Sequence, residues 1–211
     1  KLVDEAVRSD FKVVNLYKRD EIGEEAMSRI TNLSSPSPSL AVIEKPSDFS
    51  DNDIDDIIGK RPLALALDSL RDPGNVGTII RLADWFGIDV IFASKDTVDI
   101  FNPKVVQATM GAIFRIKFIY CDLDAVCERF ISSRMKIFGT FLDGDTIYDK
   151  DLDSSGLIVM GSESNGISNQ IAAKISDRLY IPPYPFGADT SESLNVAIAT
   201  AITCSEFRRR K

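Results

Sequence analysis

No histidine occurs among the 211 residues. Its absence removes the usual general base, the serine and cysteine nucleophile systems that imidazole activates, and the commonest transition-metal ligand. Cysteine is scarce as well. Cys121, Cys127 and Cys204 form an odd set without CxxC spacing, which argues against a disulfide framework or a zinc site, implies no metal, and favours a reducing, cytoplasmic setting. No apolar run approaches the roughly 20 residues that cross a bilayer, so no membrane association is expected. The opening KLVDEAVRSD has neither the basic flank nor the apolar core of a secretory signal. The chain starts on lysine rather than methionine, and further residues are expected upstream.

What is present is ordinary for a globular protein: 44% apolar and 27% charged residues, enough to bury a sizeable core. The net charge of −7 argues against tight nonspecific nucleic-acid binding, but it is unevenly spread. Residues 1–60 hold 8 Lys/Arg against 13 Asp/Glu, whereas residues 61–211 hold 17 against 19. The larger part is nearly neutral and leaves room for a local basic patch.

Residues 1–45 read as a small mixed unit: a helix at KLVDEAVRS, a strand at FKVVNLYK, an acidic helix at DEIGEEAMSRI, the breaker SSPSPS and a strand at LAVIEK. Residues 46–62, PSDFSDNDIDDIIGKRP, set an aspartate run between prolines and read as a linker or solvated cap. From residue 63 apolar strands alternate with amphipathic helices: LALALD, a helix from about Val76 to Phe86, DVIFA, a helix through KVVQATMGA, RIKFIY, a helix through DAVCERFISS, KIFGTFL, LIVMG, a helix through ISNQIAAKI, RLYIPP, and a last helix SLNVAIATAITCSEFRRR. Strands such as LIVMG are apolar throughout, which indicates burial on both faces. The pattern predicts an α/β domain over 63–211, a mostly parallel sheet flanked by helices, with ligands beyond the carboxyl ends of the strands.

Three strand ends meet small or polar residues that a mere connector would not need. In LALALDSLRDPGNVGTIIRLADWFG, Gly74 and Gly77 allow a tight turn and Asn75 is placed to cap the helix. Arg81 shares a face with Gly74 and with Gly77 or Thr78, small residues that leave space toward the loop. The same arginine could pair with Asp84 at i+3, worth tenths of a kcal/mol, and this motif alone leaves both readings open. A dinucleotide site is the rival, since Asp96 lies about 20 residues past the turn, but GxGxxG is absent. In LIVMGSESNGIS, Gly161 and Gly166 bracket Glu163, placed either to start a helix or to face a ligand. A hydrolase elbow fails there because GxSxG is missing and no histidine could activate Ser164. In YIPPYPFGADTSESLNVAIATAI, Ser193 suits an N-cap, and Asn195, an amide at an apolar helix start, needs partners.

Taken together, Asn75-x-Gly77 with Arg81, Gly161-x-Glu163-x-x-Gly166, and Ser193-Leu194-Asn195-Val196 resemble the three motifs of the SpoU/TrmH family of RNA ribose 2′-O-methyltransferases, over about Leu63 to Phe207. The unit at 1–45 resembles part of the ribosomal-protein-like domain with which many members bind their RNA substrate. The resemblance implies a C-terminal trefoil knot, an exception to unknotted chains, a homodimer whose catalytic groups meet near the interface, and S-adenosylmethionine as cofactor. It implies that Gly161, Ile181 and Leu194 contact that cofactor, with Thr140 and Gly144 lining the pocket. It also implies that Asn75, Arg81, Glu163, Ser193 and Asn195 form the catalytic set, Arg81 at its centre. The expected substrate is RNA, ribosomal ahead of transfer RNA. A catalytically silent RNA-binding relative and a nicotinamide-dependent oxidoreductase are the alternatives. The terminal RRRK offers phosphate contacts, or simply a helix end that suits the macrodipole.

Overall fold

The computed structural model describes residues 2–31, 33, 35–185, 187, 191 and 193–209, and the chain divides into two units, Lys1–Asp48 and Phe49–Lys211. In the first, α1 (Leu2–Arg8) precedes β1 (Val13–Lys18), α2 (Arg19–Ile22), α3 (Glu24–Ile30) and β2 (Ser39–Ile43). β1 and β2 pair antiparallel, with Leu16 opposite Ala41. The acidic helix expected at 20–30 is interrupted at Gly23. Ala6 and Met27 are the fully buried apolar side chains among this unit's described residues, so its core is thin.

The second unit opens with α4 (Asp51–Gly59), where the sequence suggests a linker or solvated cap. Ser50 and Asp53 form a reciprocal capping box: the Asp53 N–H donates to Ser50 Oγ at 3.3 Å and the Ser50 N–H to Asp53 Oδ2 at 2.8 Å. Ile54, Ile57 and Ile58 fall at i, i+3 and i+4 and are buried, each contributing about 1.5–3 kcal/mol if fully withdrawn from water. The aspartates merely occupy the wet face of an ordinary amphipathic helix.

The sheet comprises β3 (Leu63–Asp68), β4 (Val90–Ala93), β5 (Lys117–Tyr120), β6 (Ile137–Thr146), β7 (Gly156–Gly161) and β8 (Asp177–Tyr180), in the order β5-β4-β3-β7-β6-β8. All pairs are parallel. Period-two alternation builds two cores. Leu63, Leu65 and Leu67 of β3, with Ile158 and Met160 of β7, face α5 (Pro73–Trp85), α6 (Pro103–Thr109) and α9 (Val196–Arg209). Ala64 and Ala66, with Leu157 and Val159, face α4, α7 (Leu123–Ser132) and α8 (Asn169–Ala172). This is the mostly parallel, helix-flanked α/β sheet the sequence predicts, although α8 is one turn rather than the full ISNQIAAKI stretch.

β6 departs most from expectation. Phe138–Thr140 pair with Asp177–Leu179, residues 141–144 then leave the ladder, and Asp145 meets Leu179 again. The extruded residues are pinned from β8: the Arg178 guanidinium lies 3.5 Å from the Phe141 ring centroid and pairs with Asp143. That hydrogen bond holds the exposed Asp143 carboxyl below its ordinary pKa.

Candidate functional site

β6, β7 and β8 end at a cavity of about 510 Å³, within the range of small-molecule sites. Thr140, Gly161, Ile181 and Leu194 line it, together with Glu163 and Ser193. Gly144 does not. A Cβ there would sit 2.7 Å from the Arg178 carbonyl carbon, so its glycine lets the extruded β6 segment return against β8. Gly161 has a sharper requirement: a Cβ would lie 2.2 Å from the backbone carbon of Gly166, so only glycine lets the 162–166 turn fold back over the strand end. That turn is closed by mutual bonds, Ser162 N–H to Gly166 O at 3.1 Å and Gly166 N–H to Ser162 O at 2.9 Å. Glu163 thus sits in a tight turn rather than at a helix entry.

Asn75 links the three motifs. Its Nδ2 donates to Glu163 Oε1, and its Oδ1 accepts from Asn195 Nδ2 at 3.0 Å. Asn75 does not cap its helix as its position suggests, whereas Asn195 finds the partners its position requires. Asp72 caps α5, accepting from the Asn75 N–H at 2.7 Å with Pro73 in the first turn, so Asn75 is free for its neighbours. Asn195, not Ser193, caps α9, its Oδ1 accepting from the N–H groups of Ala197 at 3.0 Å and Ile198 at 3.3 Å. One amide therefore starts a helix with its oxygen and reaches Asn75 with its nitrogen.

Arg81 is exposed and pairs with no described residue. The possible Asp84 partner is taken by Arg115, whose Nε lies 3.0 Å from each Asp84 oxygen and whose Nη2 lies 2.7 Å from Oδ2. Arg81 does not line the cavity of its own chain. Gly77 also departs from its sequence reading: a Cβ would lie 2.5 Å from the Ala108 Cβ and 2.8 Å from the Val105 carbonyl oxygen, so it admits α6 rather than opening space toward the loop. Asp96, the would-be ribose ligand, accepts from Ser94 Oγ at 2.7 Å and lies 3.6 Å from Arg71 Nη2. The Ser94 hydrogen bond outweighs partial burial and lowers its pKa. Of the terminal RRRK, Arg210 and Lys211 lie outside the described residues. Arg208 donates through Nε to the Phe86 carbonyl at 2.7 Å and through Nη2 to that of Gly87, closing the end of α5, and Arg209 pairs with Glu206.

Sequence reasoning missed Asp68, buried at the end of β3, and the Phe141–Arg178–Asp143 clamp at the cavity wall. A carboxylate ending the apolar run LALAL was the available signal for the first. Among the described residues no group of His, Cys, Asp and Glu could hold a metal ion, and no helix is long and apolar enough to cross a membrane.

Comparison with known proteins places these features in context. The model of the SpoU rRNA Methylase family matches residues 62–205. The 23S rRNA (guanosine(2553)-2′-O)-methyltransferase RlmP of Bacillus subtilis is 28% identical over 98% of this chain and 85% of its own length. Three further curated relatives are spanned over only 54%, 63% and 61% of their lengths. A TrmH-family structure from Porphyromonas gingivalis superposes with a TM-score of 0.84 at 36% identity, covering 100% of this chain and 88% of that one. The AdoMet-bound rRNA methyltransferase from Sinorhizobium meliloti gives 0.81 at 30% identity, covering 99% and 84%.

Proposed function

The chain belongs to the SpoU rRNA methylase family, and on that premise we propose that it methylates the ribose 2′-oxygen of RNA, ribosomal RNA ahead of transfer RNA, using S-adenosylmethionine in the cytoplasm. The carrying observation is the Glu163–Asn75–Asn195 chain of hydrogen bonds, which joins all three motifs beside a cavity walled by Gly161. The residues present suit the cofactor. Met160, Ile167, Leu179 and Val196 offer apolar surface, and the close approach at Gly161 leaves backbone groups at the wall. Gly161, Thr140, Ile181 and Leu194 would hold it. When bound, it supplies an electrophilic methyl group for the ribose oxygen.

Glu163, Asn75, Ser193 and Asn195 organise the cavity edge where substrate must enter. Arg81 presents a guanidinium that pairs with no described residue, fits a phosphate bidentately and counters negative charge growing on the 2′-oxygen. A guanidinium is a poor proton acceptor, so the hydroxyl proton passes to substrate phosphate or solvent.

The active form is a homodimer. α5 packs on α9, and both leave apolar groups outside: Trp85 is 83% exposed and Ile198 52%. Arg81 lies one turn before Trp85. A second copy over this face would bring Arg81 into a composite site. The C-terminal knot belongs to the same reading, as does RNA binding by the 1–45 unit.

Total RNA methylated with labelled cofactor, then mapped for alkali-resistant linkages, tests the assignment. Label confined to 2′-O positions of ribosomal RNA is expected. Cofactor binding with no label in any RNA class would favour the silent RNA-binding relative.

A further inference from the structure

Asp68 ends β3 with only 5% of its surface exposed. It forms no ion pair with any described residue, an expensive arrangement for a carboxylate unless its hydrogen bonds matter. Oδ2 accepts from the Ser168 N–H at 2.7 Å, and Oδ1 accepts from Ser69 Oγ at 3.3 Å. In the parallel register Asp68 stands opposite Gly161, so its register partner and its hydrogen-bond partner Ser168 bracket the turn that carries Glu163 and Ile167. The strand end is itself held in place. Ser69 adopts a left-handed φ of 61°, and its N–H donates to Ser94 Oγ at 2.9 Å.

We propose that Asp68 is a positioning residue that pins Ser168 to the end of β3, closes the 161–168 turn over the cavity and keeps Glu163 within reach of Asn75. Gly161 provides the room for that turn, and Asp68 provides its far anchor. The consequence for the cavity rests on the cofactor reading above; the consequence for the turn does not.

The contact can be removed from either side. Asp68→Ala deletes the acceptor. Ser168→Pro deletes the donor at a residue whose φ of −59° already suits proline, and it keeps the carbonyl that accepts from the Ala172 N–H. Each should weaken S-adenosylmethionine binding about tenfold by calorimetry. KM for the cofactor should rise in parallel while kcat changes less, and Asp68→Asn, which retains an oxygen acceptor, should restore binding. Amide exchange at Gly166, bonded to Ser162 O at 2.9 Å, should quicken in Ser168→Pro. Wild-type affinity together with wild-type exchange in Ser168→Pro overturns the proposal, and that variant carries the test if Asp68→Ala does not fold. Should the wild-type chain bind no S-adenosylmethionine, the cofactor reading fails, and Gly166 exchange alone then decides whether Asp68 anchors the turn.

Discussion

Arg81 stands in solvent while Asp84, three residues on, is gripped by Arg115. A group left free beside a catalytic motif should be costly to change without being structural. Arg81→Lys is expected to keep cofactor affinity, because Arg81 does not line the cavity, and to lower the single-turnover methylation rate about 10²–10³-fold. Near-wild-type turnover with lysine would remove any need for a guanidinium. Gly77→Ala is expected to act oppositely, lowering stability by about 1–3 kcal/mol in denaturant titrations because its Cβ meets Val105 and Ala108 of α6. Residue types at the site were legible from spacing, whereas their partners were not. Asn75 read as a cap although Asp72 before Pro73 was the stronger local helix-start signal, and Gly77 read as open space because the sequence does not say which helix lies against it.

Elements buried on both faces were the easiest to read, since LALALD and LIVMG have no polar side to misplace. α4 was hidden by its aspartates, although Ile54, Ile57 and Ile58 already had helical spacing. Ile58→Ala is therefore expected to cost about 2–5 kcal/mol, measured by the urea midpoint, where a linker position would cost almost nothing. The β6 extrusion was illegible because its cause, Arg178 reaching Phe141 and Asp143, lies 35 residues away from the latter. Helices α7 and α9 make a further prediction through Cys127 and Cys204, whose thiols are pushed by burial from 9.0 up to about 12. The native state then keeps protons that the unfolded chain releases. This contribution is intact below about pH 9 and is lost as pH rises toward 12. Urea midpoints should fall between pH 8 and pH 10, and replacing both cysteines by alanine should flatten that fall even though it lowers the midpoint at pH 8.

For the whole molecule, the parallel sheet and its helical layers followed from alternating apolar strands and helices, but the strand order and the join between motifs did not, the latter because it depends on side chains from three distant segments. The proposed association face likewise rests on α5 and α9 taken together. Trp85→Glu with Ile198→Arg is expected to yield a monomer by light scattering, with native circular dichroism and strongly reduced methylation; an unchanged dimer would move the interface elsewhere. The Asn75 hydrogen bonds also set a timetable for synthesis. They close loops of 88 residues to Glu163 and 120 to Asn195, and Asn195 takes its place by capping the last helix. Such long-range contacts come late in folding. A nascent chain can complete the sheet and still lack the third motif, so the site first assembles when α9 has left the ribosome, and a chain broken off before Asn195 is released without it.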